Sequence, residues 1–279
     1  MYVANGTGVL KKVLLSRPTY LKPAPINEIA KKWEHTVMDV KIMEKEHQLL
    51  VQAYEQNGVE VVQLPADEER PNAVFARDFG GCVKEGYILG NFKLPLRYKE
   101  HTDYEKIMEE LGVPVIARVT EGLFEGGDFA FLNEKLIAVG MADRTNEKGV
   151  EEIRTQLAPY GYRVIGVPLN PAYLHFDMCF NLVDDHLAVA YIEGLPEEFR
   201  KELTKLDIEL IGVPEQAIFD HGCNLQAIGD HRVISLARNT AVNDALAKHG
   251  MKVIELPVTE ILKAGGGPHC MTFPLMRER

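Results

Sequence analysis

The chain has 279 residues, 46% of them hydrophobic, which is ample for a core in one large domain or two. Its 31 basic and 41 acidic residues leave a formal net charge of −10, which disfavours nucleic acid and anionic membrane surfaces as partners and is neutral towards small cationic ligands. The N-terminal segment lacks the apolar core of a signal peptide, and no run approaches membrane-spanning length. Cys82, Cys179, Cys223 and Cys270 are too widely spaced for a zinc ribbon or a small disulfide framework, so a reduced cytoplasm is the expected compartment.

In chain order, the first predicted strand is VLKKVLLSRP at 9–18, which has no partner before it. A phrase then recurs five times: VEVVQLP at 59–65, VPVIARV at 113–119, YRVIGVP at 162–168, IELIGVP at 208–214 and MKVIELP at 251–257. The starts are 54, 49, 46 and 43 residues apart, a drifting period typical of a repeated supersecondary unit. Before each phrase stands what reads as the last turn of a helix, and four of the five turns end in a glycine suited to the left-handed position after a helix. After a phrase comes a pair of β-like runs with a polar turn between them, such as LFEGGDFAF then KLIAVGMA. Each repeat is therefore one helix with about three strands.

The fifth repeat is incomplete: HCMTFPLMRER has no partner after it, so pairing it with 9–18 would close a ring. The expected fold is a five-bladed α/β propeller closed by its terminal strands, in a single domain over 1–279, since no linker or composition change marks a boundary. A doubly wound parallel sheet also alternates helices and strands, but it gives no reason for five similar units or for two half-units at the ends.

In such a ring the same position of each unit faces the axis. The residues that follow the phrases include Arg77-Asp78 in VFARDFGG, Glu125 and Asp128 in FEGGDFAF, His175 and Asp177 in LHFDMCF, and His269-Cys270 in GGGPHCMTF. Each alone is better read as structure: an ion pair, a tight hairpin, a satisfied core histidine, a small buried cysteine. Together, in equivalent positions of apolar runs, they read as chemistry, because a buried carboxylate must be paired or neutralised. Cys270 follows a flexible glycine run that allows close backbone approach, as an accessible nucleophile needs. A thiol attack requires a proton shuttle, for which His175 is suited, with Glu125 orienting its imidazole. Two further carboxylates, Asp78 and Asp177, would oppose an ordinary acyl-transfer oxyanion but could grip a planar guanidinium over the sulfur.

At these residues the chain resembles the guanidino-group-modifying enzyme superfamily. This is the pentein fold that includes arginine deiminases, dimethylarginine dimethylaminohydrolases, agmatine deiminases and amidinotransferases. The resemblance runs from VLKKVLLSRP through FARD, EGGD, MADRTN and HFD to GGGPHCMTFPL, spanning essentially the whole chain in the family's order. It implies Cys270 as nucleophile, His175 as general acid then base, Glu125 as its orienting carboxylate, and Asp78 and Asp177 as guanidinium clamps. It further implies Arg144 as a contact for the substrate carboxylate, Arg97 as a second such contact on a mobile loop, and Asp128 as a turn or supporting residue.

The implied reaction is hydrolysis of a small guanidino substrate through an amidino-cysteine, requiring no metal or organic cofactor. His175-x-Asp177 is similar to arginine deiminases and amidinotransferases, whereas many bacterial dimethylarginine hydrolases have His-x-Lys there. The compact length is closer to the dimethylarginine hydrolases, and the arginine-rich element that precedes the deiminase cysteine is absent. Arginine deiminase-like activity is the leading expectation and dimethylarginine hydrolysis the alternative. Amidino transfer and a non-catalytic binding protein of the same fold rank below them, and homo-oligomerisation stays open.

Overall fold

The computed structural model describes residues 3–25 and 27–278. Strand β1 (Val9–Ser16) is followed by the helix Val40–Gln56 and by β2 (Glu60–Leu64), which returns parallel to β1. The four units that follow run strand, antiparallel strand, helix, parallel strand. They are β3 (Gly80–Val83), β4 (Gly86–Leu89) and β5 (Val115–Arg118); β6 (Phe129–Phe131), β7 (Leu136–Met141) and β8 (Arg163–Pro168); β9 (Phe180–Asp184), β10 (Leu187–Ala190) and β11 (Glu209–Gly212); and β12 (Gln226–Gly229), β13 (Arg232–Leu236) and β14 (Lys252–Leu256). The last strand, β15 (Phe273–Glu278), pairs antiparallel with β1, from Val9 opposite Glu278 to Leu14 opposite Phe273. The two half-units thus complete one blade, and the molecule is a five-bladed α/β propeller of three-stranded sheets.

The recurring phrase is the outer strand of each blade. It is the least buried of the three, with only the last residue of β2 and of β14 fully buried, whereas the middle strands β4 and β10 are buried throughout. A middle strand packed on both faces reads as a continuous apolar run, as parallel pairing with a covering helix requires. The first crossover helix shows the matching periodicity: Met43, His47, Leu50, Val51 and Tyr54 are buried along one face, and Asp39 caps its first turn by accepting from the N–H groups of Lys41 and Ile42.

The handover from helix to outer strand uses one device five times. Gly58, Gly112, Gly161 and Gly250 have φ between 68° and 82°, and Asp207 takes the same conformation at 57°. In each case the next residue's N–H reaches back to a carbonyl near the helix end, as in Val59 to Tyr54 and Met251 to Leu246, both 3.0 Å. An added Cβ at any of these four glycines would meet nothing within 4 Å, so the preference for glycine there is purely one of backbone conformation.

The inner strands line the axis. Neighbouring blades meet through them, β15 against β3, β6 against β9 and β9 against β12, and β12 also meets the middle strand β1. Among the described residues, no helix is long and apolar enough to cross a membrane.

Candidate active site

Each inner strand is entered through a short segment that carries one polar residue towards the axis. Tight single turns at Ala76–Phe79, Gly126–Asp128 and Phe176–Met178 place Asp78, Asp128 and Asp177 just before β3, β6 and β9. Asn224 stands before β12 and Cys270 before β15. The propeller repeat thus converts five positions scattered along the sequence into one cluster, all of it less than a tenth exposed.

A small cavity is lined by Cys270, His175, Asp78, Arg97, Arg144 and Gly266, among others. The glycine run earns its place at Gly266, where an added Cβ would lie 2.4 Å from the Phe75 ring and 3.0 Å from the Cβ of Cys270. Cys270 Sγ accepts from Asn224 Nδ2 at 2.9 Å and lies 3.5 Å from Asp177 Oδ2. Asn224 Oδ1 in turn accepts from the backbone N–H groups of His269 and Cys270, at 3.0 and 3.3 Å, so one amide fixes both the sulfur and its backbone. Burial, and then the carboxylates of Asp177 and Asp78, push the Cys270 thiol well above the usual range, so the resting group is the neutral thiol.

His175 faces three carboxylates. Its Nε2 donates to Glu125 Oε2 at 3.0 Å, and its Nδ1 is 3.8 Å from Asp78 Oδ1. Burial alone would favour the neutral imidazole, but Asp78, Glu125 and Asp128 outweigh it and hold His175 up at about 10, as an imidazolium at neutral pH. Burial likewise opposes charge on Glu125, yet the His175 hydrogen bond, Arg144 and Arg97 hold it below the usual carboxylate range. Asp78 goes the other way: burial and the neighbouring Glu125 raise it, against His175 and Arg97.

Both candidate clamps carry a buried oxygen with no hydrogen-bond partner, Asp78 Oδ1 and Asp177 Oδ1. Asp78 opens onto the small cavity, whereas Asp177 lies beneath the sulfur, at the inner end of a second, axial cavity. Asp177 Oδ2 accepts from His269 Nδ1 at 2.7 Å. Burial and then Arg77 push His269 down to about 4, so it serves Asp177 as a neutral donor, while Asp177 itself is lowered by His269, His175 and Arg77 despite its burial.

Arg144 lies with Nη1 3.5 Å from Glu125 Oε2 and Nε 2.7 Å from Asp143 Oδ2. Arg97 is 2% exposed and more tightly engaged than a mobile-loop position suggests. It meets Glu100 through Nε and Nη2, places Nη1 2.5 Å from Asp78 Oδ2, and stacks 4.4 Å over the Phe92 ring. Asp128 accepts from Thr145 Oγ1 at 2.7 Å and from the Phe176 N–H at 2.8 Å, tying EGGD to the segment that carries His175 and Asp177. Asp78, Glu125 and His175 bring one donor atom each within 4.8 Å of one another, a spacing a metal ion could use. Glu125 is, however, already bonded to His175 and faced by the guanidinium groups of Arg97 and Arg144 at 3.9 and 3.5 Å, which would oppose a metal ion at that point.

The family model described as N,N dimethylarginine dimethylhydrolase, eukaryotic, matches residues 17–277. The chain belongs to this family. Amidine-hydrolysing enzymes make up the dimethylarginine dimethylhydrolase family and the related arginine deiminases, and the chain is such an enzyme. It is 32% identical to the uncharacterized protein YkgA of Bacillus subtilis, over 97% of this chain and 93% of that one. It is 28% identical to an arginine deiminase of Limosilactobacillus reuteri, over 75% of this chain and 62% of that enzyme's length, so it spans less than two thirds of the deiminase. Two solved structures share the dimethylarginine dimethylhydrolase fold seen here. The N-terminal domain of ArgZ, a cyanobacterial arginine dihydrolase bound to product, superposes with a TM-score of 0.83 at 22% identity, covering 95% of this chain and 97% of that one. The Pseudomonas aeruginosa dimethylarginine dimethylaminohydrolase complexed with citrulline gives 0.80 at 21% identity, covering 96% and 100%.

Asn224 is the residue that sequence reasoning missed. Its signal was available: it stands before the inner strand of its blade, as Asp78, Asp128, Asp177 and Cys270 do in theirs, but an uncharged amide in HGCNLQAIG does not draw the eye as an acid does.

Proposed function

We propose that the protein hydrolyses the guanidino group of an arginine-like amino acid, with Cys270 as nucleophile, in the manner of an arginine deiminase. The observation that carries this reading is the meeting of a thiol, an imidazolium and the unpartnered Asp78 Oδ1 around one small cavity. Asp78 Oδ1 offers an acceptor to a guanidinium N–H, and Asp177, 3.5 Å from the sulfur, supplies the second negative charge.

The charge state suits a cationic substrate. A neutral thiol and an imidazolium at rest become a competent pair when a guanidinium arrives, because its positive charge offsets the two aspartates that keep the thiol protonated. The thiol gives its proton to solvent as the guanidinium binds, Sγ bonds to the guanidinium carbon, and His175 gives its own proton to the departing nitrogen, which leaves as ammonia with the electrons of the broken C–N bond. An amidino-cysteine remains. His175, now neutral, takes a proton from water as the water oxygen bonds to the same carbon; cleavage of the C–S bond then expels the thiolate, which takes the hydroxyl proton of the product, so that citrulline leaves with Cys270 again a thiol and His175 again an imidazolium. Glu125 holds the imidazole for both transfers, and Arg144 would meet the substrate carboxylate, whereas Arg97, engaged with Glu100 and Asp78, would hold Asp78 in place instead of contacting the carboxylate. A reducing cytoplasm would keep the thiol available, in line with four unpaired cysteines.

The family model's description favours a second reading, hydrolysis of dimethylarginine to citrulline and dimethylamine. The dimethylated nitrogen has no N–H to give, so it would leave a buried carboxylate oxygen unpaired, at a cost of about 1–3 kcal/mol. Competitive turnover of arginine against asymmetric dimethylarginine, with ammonia and dimethylamine measured separately, decides between them. A preference for arginine of about tenfold or more is expected, and a preference for the dimethylated compound replaces the first reading with the second.

A further inference from the structure

Beside the reactive thiol, the propeller axis holds a small cavity lined by the inner strands of all five blades. Its lining is strongly polar for a protein interior, with Arg77, Arg277, Asn181 and Gln226 reaching into it. Arg277 is 2% exposed and spends Nη1 and Nη2 on the carbonyls of Gly8 and Ala227. Arg77 makes one side-chain bond, to the Phe129 carbonyl at 3.2 Å, and its buried Nε has no partner. Neither guanidinium is paired with a carboxylate among the described residues. Gln226, 2% exposed, leaves its Oε1 unpartnered while its Nε2 donates to the Ala227 carbonyl.

Buried guanidinium groups without counter-charges are costly, and unmade hydrogen bonds on two neighbouring side chains add to the cost. Asp177, at the inner end, supplies one negative charge against the two positive ones, leaving a net charge of +1 to be met. Burial and the neighbouring Arg77 push Arg277 below the usual arginine range, as expected of cations that lack a facing anion. The unpartnered groups also differ in kind: Arg77 needs an acceptor, whereas Gln226 Oε1 needs a donor.

We propose that the axial cavity binds a small protonated oxyanion, of the hydrogencarbonate type, with Arg77 and Arg277 meeting its charge and Gln226 Oε1 accepting its hydroxyl proton. The site would communicate with the thiol. The backbone N–H of Arg77 donates to the Cys270 carbonyl at 3.0 Å, and the Arg77 charge favours ionisation of both Asp177 and Cys270. An anion behind Arg77 offsets that field, making the thiolate harder to form, so occupancy restrains the reactive sulfur from the face opposite the small cavity.

The test uses the full chain at pH 8 and constant ionic strength, with sodium gluconate as the balancing salt. Calorimetric titration with sodium hydrogencarbonate is expected to show saturable one-to-one binding, and nitrate, which has similar charge but no proton to give, should bind several-fold more weakly. Gln226→Glu, which tethers a carboxylate opposite the arginines, and Arg277→Gln should each weaken hydrogencarbonate binding by about tenfold or more; either one that folds by circular dichroism suffices. Alkylation of Cys270 by iodoacetamide should slow several-fold on saturation in the wild type and not in the variants. Absence of saturable binding, equal affinity for nitrate, or binding and alkylation unchanged in a folded variant overturns the proposal. None of these readouts requires guanidine hydrolysis, so their failure would leave the proposed activity untouched.

Discussion

Asn224 Nδ2 lies 2.9 Å from Cys270 Sγ while its Oδ1 accepts from the Cys270 backbone N–H at 3.3 Å, so one uncharged side chain addresses the sulfur and the chain that carries it. A neutral donor next to sulfur favours the thiolate without the competing charge that a second carboxylate would bring. Hydrogen bonds to charged groups are worth about 1.5–3 kcal/mol, so Asn224→Ala should lower turnover by about tenfold to a hundredfold. The pH dependence of iodoacetamide alkylation separates this role from simple support: the midpoint should move to higher pH in Asn224→Ala, and further in Asn224→Asp. An unmoved midpoint would mean that Asn224 only holds the backbone.

Glu125 should set the upper pH limit of activity. The imidazolium of His175 is sustained to about 10 by surrounding carboxylates, against its burial, and Glu125 is the one in direct hydrogen bond with it. Because His175 must carry a proton to release ammonia, activity falls as pH rises through its pKa. Removing one facing charge typically lowers such a pKa by about 1–3 units, so the alkaline limb of kcat/KM in Glu125→Gln should shift to lower pH by about that amount. The same sign governs stability: the raised His175 contributes fully below its unfolded pKa and loses that contribution as pH climbs towards 10, so thermal midpoints should decline less over this range in His175→Gln than in wild type.

Arg144 should distinguish amino acids from simple guanidines. Loss of a charge-assisted pair to a substrate carboxylate predicts that Arg144→Ala uses arginine about ten- to a hundredfold less well. Agmatine, which has no carboxylate, should be a poor substrate for both proteins. Wild-type preference for agmatine would remove this assignment.

Most of this architecture was legible because the propeller repeats its grammar. The phrase at 59–65 and its four relatives are the outer strands, and the unpaired runs at the two ends do pair, Leu14 opposite Phe273. The acids and the histidine stood out because Asp78, Glu125, His175 and Asp177 interrupt apolar runs, where a charge needs a reason. What stayed hidden depends on distances between blades. Nothing in KLPLRYKE shows that Arg97 turns inward to Glu100 and Asp78, because an arginine in a polar loop ordinarily faces water. Nor does the terminal FPLMRER announce that Arg277 ends in the axis, since the alternation of β15 fixes its side only once β1 is known to pair with it.

The five left-handed handovers give a test of the fold itself. Gly250→Ala or Gly58→Ala should cost about 1–2 kcal/mol from backbone conformation alone, since the added methyl meets nothing within 4 Å. Asp207→Gly, at the one handover without glycine, should gain up to about 1 kcal/mol for the same reason. Urea unfolding midpoints measure both, and a destabilising Asp207→Gly would show that the Asp207 side chain matters more than its backbone.

The most direct test of covalent catalysis is mass spectrometry of protein quenched during turnover of arginine, read alongside the activity of Cys270→Ser. The expected result is an amidino adduct on the peptide containing Cys270 and none on Cys82, Cys179 or Cys223, with Cys270→Ser folded and slower by at least about three orders of magnitude. Near-normal turnover by a folded Cys270→Ser protein, or an adduct on a different cysteine, would contradict it.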